Sequence, residues 1–273
     1  MRCYVPILLT CLTGASFAQD APLPDVPKLI QQVQDHQRKM DETRENYTYR
    51  QLDVTRELNK DGSVKKTESE ESEVFFVNTH EIDRTVKKNG KELSPEEQKK
   101  EQDRVMKAVK KAQDTPPGQS PDKNDVSVSR LLAIMKVSNP RRETIDGRST
   151  IAFDFTGDPH AKTHGMAEDA SKKLSGTLWV DENDREVRRM TARFDDNFHL
   201  GFGLFSVGKG SNFTFNQKLV NNELWLPIDG QAHIVAHAIG IIGYRADITE
   251  TDSDYQRFHA EALQQAGVKP IQP

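Results

Sequence analysis

Gly176-Thr177-Leu178-Trp179-Val180-Asp181-Glu182-Asn183-Asp184-Arg185-Glu186-Val187-Arg188-Arg189-Met190 is the stretch on which the fold turns. Gly176 to Val180 and Val187 to Phe194 are rich in β-branched, aromatic and aliphatic residues, and the polar quartet Asp181 to Asp184 between them carries turn chemistry. Strands joined by so short a link are antiparallel, because parallel neighbours need a crossover of a dozen residues or more. The same pattern continues outward in both directions. Towards the C-terminus lie Asn212 to Val220, Glu223 to Leu226, Gln231 to Ile239 and Gly243 to Thr251. Towards the N-terminus lie Thr150 to Phe155, Ile82 to Lys87, Glu73 to Asn78 and Tyr47 to Leu58, with Asn59-Lys60-Asp61-Gly62 and Asn89-Gly90 as hairpin turns. Strands alternating with crossover helices are missing, and no repeat of fixed period occurs. The sequence therefore predicts an α+β fold, a strongly curved antiparallel half-barrel sheet covered by helices.

Three helices are expected beside the strands, and a short fourth within the loop segment Gly157 to Lys173. Asp25 caps the first, with Pro27 in its opening turn and Leu29, Ile30, Val33, Gln37 and Met40 at helical spacing. Ser94-Pro95-Glu96-Glu97 has the capping-box arrangement and starts a second helix, running to about Ala112, whose apolar patch is only Val105, Met106, Ala108 and Val109. Its many lysines are interleaved with glutamates, as on a solvated helix face. A loop rich in proline, Asp114 to Asn124, follows. The third helix is expected over Val126 to Val137, where Leu131, Leu132, Ile134 and Met135 mark it for burial, so that the sheet wraps around it and the first helix.

The N-terminus reads as an export signal. Arg2 is the basic start, Tyr4 to Leu12 is mostly apolar, and Ser16-Phe17-Ala18 has small residues where a signal peptidase cuts. Both cysteines, Cys3 and Cys11, lie inside this segment, so the mature chain would have neither disulfides nor thiolate chemistry. The expected organisation is a signal peptide over 1–18 and a single domain over 19–273, with the second helix and the proline-rich loop, about 94–124, as an insertion. The expected location is periplasmic or secreted. No later stretch approaches the ~20 apolar residues of a membrane-spanning helix, so no integral span is expected in the mature chain. The 38 basic and 42 acidic residues are mixed along the chain, without a basic stripe interleaved with aromatics, which argues against nucleic acid as partner.

Motifs for catalysis fall short. Gly203-Leu204-Phe205-Ser206-Val207-Gly208-Lys209-Gly210 nearly spells a phosphate-cradling loop, but Gly210 stands where a hydroxyl is required and a strand pattern follows. Ser206 has no nucleophile-elbow frame. His160 and His164, beside Asp158, Glu168 and Asp169, are residue types that ligate zinc, but Pro159 and Gly165 place them in a loop. His233 and His237 share one strand face at ~13 Å, too far for one metal. The expectation is therefore a chain that is not an enzyme and uses no cofactor or metal. The aromatic residues of the strands form either a filled core or the lining of an open cavity, and pattern leaves that choice open.

An exported chain that opens on Leu29-Ile30-Gln31-Gln32-Val33, continues through Asn46-Tyr47-Thr48-Tyr49 into hairpins, and later carries Gly176 to Asp181 followed by Glu186-Val187-Arg188-Arg189-Met190 resembles the bacterial LolA/LolB-like lipoprotein carriers of outer-membrane lipoprotein sorting. The resemblance implies an apolar cavity between sheet and helices that holds acyl chains in the periplasm. Tyr47, Tyr49, Phe75, Phe153, Phe155, Phe213 and Phe215 would line it, and the partner would be a lipid or an acylated lipoprotein. A sensor or scaffold module that binds an envelope protein through the same fold is the alternative.

Overall fold

A computed structural model describes residues 22–117, 119, 128–200, 205–238 and 241–257. The signal segment expected over 1–18 lies outside them. α1 (Val26–Arg44) precedes β1 (Tyr47–Leu58), β2 (Val64–Val77), β3 (His80–Lys88) and the short β4 (Lys91–Glu92). Next come α2 (Pro95–Asp114), α3 (Val128–Ala133), β5 (Met135–Ile145), β6 (Arg148–Gly157) and α4 (Met166–Ser171). The chain continues as β7 (Leu174–Asp181), β8 (Val187–Phe194), β9 (Phe198–Leu200), β10 (Phe205–Val207), β11 (Asn212–Val220), β12 (Leu224–Ala238) and β13 (Ile241–Arg257).

All described strands join one antiparallel sheet in the order β4-β3-β2-β1-β13-β12-β11-β8-β7-β6-β5, with β9 and β10 as a flap beside β12. The fold is α+β, an open, curved half-barrel. Pairing of β13 with β1 ties the end of the described chain to its first strand, from Tyr47↔Arg257 to Glu57↔Ala246.

Local chemistry explains the elements. The Asp25 side chain accepts the Lys28 backbone N–H at 2.9 Å and opens α1. Ser94 and Glu97 form the full capping box of α2, with the Ser94 N–H donating to Glu97 at 2.9 Å. The Asp181 to Asp184 turn is held by one carboxylate: Asp181 Oδ1 accepts the N–H groups of Asn183 and Asp184, each at 3.0 Å. Arg148 grips both oxygens of the same fully buried Asp181 at 2.6 and 2.9 Å, and its guanidinium lies 5.5 Å from the Trp225 ring centre.

Side-chain alternation gives the sheet two faces. On the inner face, Leu29 and Val33 of α1 and Leu131 and Leu132 of α3 pack on Ile151, Phe153, Phe155, Leu178, Val180 and Met190. On the outer face, Val105, Val109 and Ala112 of α2 cover Phe75, Val77 and Ile82. The elsewhere polar outer face is satisfied by side-chain pairs such as Trp179 to Glu143 at 2.7 Å, Arg189 to Asn216 at 2.7 Å and His233 to Asp247 at 2.7 Å.

The expected helix over Val126 to Val137 is corrected. Only Val128–Ala133 is helical among the described residues, and Met135, Lys136 and Val137 pair with Gly157, Thr156 and Phe155 as the start of β5. A short apolar run suits either state, and here the free edge of β6 offers a hydrogen-bond ladder. Pro140 also turns Asn139 away from helix, and Asn139 has φ 52°. The strand expected over Glu73 to Asn78 begins earlier, at Val64, because its polar first half pairs along β1.

Candidate functional site

Two rows of side chains, read off the strand register, cross the inner face. One runs Phe155, Gly176, Ala192, Phe213, Ala232, Ile248, Thr55, Glu68. The next runs Phe153, Leu178, Met190, Phe215, Gly230, Glu250, Asp53, Glu70. Both rows begin large and apolar under α1 and α3, are small at β12, and end acidic, the first at Glu68 of β2 and the second at Asp53 of β1 and Glu70 of β2. Phe213, Phe215, Ala232, Ile234 and Ile248 are only half-buried. Of these, Phe213 alone packs against one of the buried clusters described, that of α1 and β6–β8. The site is thus a shallow apolar strip with a small-residue floor, bordered on one side by carboxylates.

Those carboxylates are Asp53, Glu81, Glu250 and Asp252. Asp252 is 6% exposed, and among the described residues neither of its oxygens has a hydrogen-bond donor. Glu250, two residues away on the same face, reaches it, so an acceptor faces an acceptor unless a proton sits between them. Burial, then the charges of Glu250, Glu81 and Asp53, raise the Asp252 carboxyl well above its ordinary range, and burial raises Glu250 with it. Burial and the Glu250 and Glu70 charges push Asp53 up to about 6. Glu81 is pushed up to about 7 by burial, against the hydrogen bond that Tyr49 donates to it at 3.1 Å. Tyr49 and Tyr255, with ring centres 5.6 Å apart, close this end of the strip.

The seven residues expected to line a cavity divide among several places. Phe153 and Phe155 sit in the cluster beneath α1, 0% and 1% exposed. Phe75 lies on the other face under α2. Tyr47 packs with Leu224 and Leu226 and donates to Glu223 at 2.7 Å, while Tyr49 packs with Val74 and Phe76. Only Phe213 and Phe215 border the open strip. Surface clefts of about 560 Å³ beside Met166 and Phe198 and about 320 Å³ between β3 and α2 are lined by none of the seven.

His160 and His164 lie in the loop before α4. The His164 N–H donates to Glu168, which is held by Arg130 at 2.8 and 2.9 Å. Among the described residues no cluster of three or more histidines, cysteines or carboxylates converges in a way that could hold a metal ion. Sequence reasoning missed Ala232, Ile234, Ile248, Asp53, Glu250 and Asp252. A signal was present: Tyr244, Ala246, Ile248, Glu250 and Asp252 are spaced by two, which sends carboxylates to the same face as aliphatics.

No protein-family model matches the chain, and no curated protein matches it. Among solved structures, a DUF1329 family protein from Desulfovibrio piger superposes with TM-score 0.35 at 9% identity, covering 88% of this chain and 99% of that one. MucB, solved in complex with MucA(peri), superposes with TM-score 0.24 at 8% identity, covering 86% and 100%. At these values the likenesses assign no family, ligand or partner to this chain.

Proposed function

We propose that this chain is a non-enzymatic periplasmic binding protein that holds an acyl or alkyl chain, of a lipid or of an acylated lipoprotein, along the open strip of the inner face. The observation that carries the reading is the run of half-buried Phe213, Phe215, Ala232, Ile234 and Ile248 over the small residues Gly230 and Ala246. Large apolar side chains wall one side, and among the described residues nothing large fills the middle, which suits a slender hydrocarbon. The export signal and the resemblance to lipoprotein carriers support the location and the class of ligand.

Burial of hydrocarbon supplies about 0.8 kcal/mol per CH₂, against an association cost of at least about 4 kcal/mol. Chains shorter than about ten carbons should therefore bind no tighter than ~1 mM. Displacement of a fluorescent polyene fatty acid from the mature chain tests the reading. Competition should strengthen with each added carbon, and Ile248→Asp should abolish it. Failure of the probe to bind, or binding unchanged by Ile248→Asp, would end the proposal.

A further inference from the structure

We propose that the ligand of this strip is a cationic amphiphile, whose apolar chain lies over Phe213, Phe215 and Ala232 and whose primary ammonium or guanidinium is held by Asp53, Glu250 and Asp252. The inference rests on the chain-binding reading above and names the polar end of the same ligand.

Three observations converge on it. First, the register sets an apolar wall and an acidic rim on one row: Phe215, Gly230, Glu250 and Asp53 follow one another across β11, β12, β13 and β1. Phe215 and Glu250 are two strands apart, about 10 Å at ~4.8 Å per strand. Second, Asp252 is a buried carboxylate without a donor among the described residues, placed against Glu250. A buried polar group in that state costs free energy until a donor arrives. Third, the nearby cations are engaged elsewhere. Arg44 pairs with Asp41 at 2.7 Å, Lys88 stands 3.9 Å from Glu70, and Lys218 lies 5.1 Å from the Tyr255 ring centre. The charges acting most strongly on Asp53 and Asp252 are those of other carboxylates.

The chemistry selects an organic cation over a metal ion. A hard divalent cation needs roughly six oxygens converging at 2.0–2.6 Å, and no described cluster of three potential ligands converges to hold a metal. An ammonium is held at the longer hydrogen-bond length with loose angular demands, so the meeting pair Glu250 and Asp252 can take it, with Asp53 opposite Glu250 in register and water on any donor left over. The ammonium would take the place of the proton between Glu250 and Asp252, so binding near neutral pH releases protons. The groups facing or acting on this position are Glu250, Asp252 and Tyr255 of β13, Asp53 and Tyr49 of β1, Glu70 of β2, Glu81 and Asp83 of β3 and Arg44 of α1, with Asp229 of β12 acting from the outer face, where it accepts from Asn216.

Dodecylammonium, dodecanol and dodecanoate, each below its micelle concentration, test the inference by titration calorimetry with the mature chain. The ammonium should bind at least about tenfold tighter than the alcohol at pH 7.5, a difference of about 1.4 kcal/mol. Titration in two buffers of different ionisation heat should show proton release for the ammonium alone. The double variant Asp53→Asn, Glu250→Gln should lose the preference, binding ammonium and alcohol with equal affinity. Equal affinity of alcohol and ammonium, or a preference that survives in the double variant, would overturn the cation while leaving the chain-binding reading standing. Binding of none of the three would overturn both.

Discussion

The sheet carries two populations of carboxylates, and they are built in opposite ways. At the end covered by α1 and α3, Asp181 and Glu182 each come with an arginine. Glu182 is drawn below its ordinary range by Arg142, which holds both of its oxygens at 2.7 and 2.9 Å. Asp181 is lowered too, because the Arg148 pair overcomes a burial that by itself would raise it. Across the sheet, on β13 and β1, burial raises Asp53, Glu250 and Asp252, and the charge of Glu250 adds to it at Asp53 and Asp252. The apolar residues divide along the same line: Phe153 and Phe155 are sealed, while Phe215 and Ile248 stay half-open. One half is a sealed core with arginine-paired acids, the exception being Glu186, which burial raises. The other bears unmet hydrogen-bonding and apolar potential, which a stable fold tolerates where a ligand completes it.

The sharpest way to break this contrast is to truncate one residue at each end of the same row. Phe153→Ala should cost about 3–5 kcal/mol in urea unfolding, because its ring is 0% exposed among Leu178, Met190 and Val180. Phe215→Ala, three strands further on and half-buried, should cost under about 2 kcal/mol and weaken alkyl binding. Equal losses would mean that the strip is as closed as the core.

Glycines probe the same difference from the backbone side. A Cβ on Gly176 would lie 1.9 Å from the Thr191 carbonyl oxygen and 2.8 Å from Phe155 Cζ. Gly176→Ala should therefore cost about 1–3 kcal/mol. A Cβ on Gly230 meets nothing nearer than 3.5 Å, the Glu250 Cβ. Gly230→Ala should fold normally, within about 1 kcal/mol, and still reduce alkyl binding by raising the floor. A thermal melt and one displacement curve per variant decide both.

Much of this architecture was legible. Strand periodicity and turn residues gave β1 and β8 over their observed spans, and capping chemistry gave the starts of α1 and α2. The third helix failed because Met135 to Val137 suits strand or helix equally, and the choice was made by a partner strand that local pattern does not reveal. The site was legible only in part. The sequence points to aromatic residues as the ligand lining, but large rings fill cores, and the open strip owes its space to Gly230, Ala232 and Ala246. Which residues lie beside Glu250 depends on the pairing of β13 with β1, strands separated by nearly the whole described chain.

The raised acids make stability depend on pH in a definite direction. Asp53 and Glu81 ionise in the folded chain near about 6 and about 7, above their ordinary 3.8 and 4.5, and Glu186 beneath α1 is likewise raised to about 7 by burial. Between those limits the folded state binds more protons than the unfolded one. Their contribution is fully present below about pH 4 and is lost as pH rises through 7. Melting temperature in low salt should accordingly rise when pH falls from 8 to 5, and decline below about 4 as the arginine-paired Asp181 and Glu182 protonate. Asp252→Asn should raise stability at pH 8 by about 1–2 kcal/mol, or a few degrees at this chain length, and flatten the slope. A melting temperature that is flat from pH 5 to 8 would remove the electrostatic half of the contrast.

The smallest expected effect is at Ile248. It lies between Ala232 and Thr55 on the first row, half-buried and outside the buried clusters described. Removing its methyl groups leaves no closed cavity, since solvent already reaches them, so the cavity penalty that dominates Phe153→Ala is absent. Ile248→Ala should shift the unfolding free energy by about 1 kcal/mol or less. In complex with an alkyl chain the same side chain becomes sealed, and its loss then removes contact that exists only in the bound state. Binding should therefore fall by about three- to tenfold with folding almost untouched. If instead Ile248→Ala costs as much as a core truncation and leaves alkyl binding unchanged, the open half is simply the less tidy edge of one core.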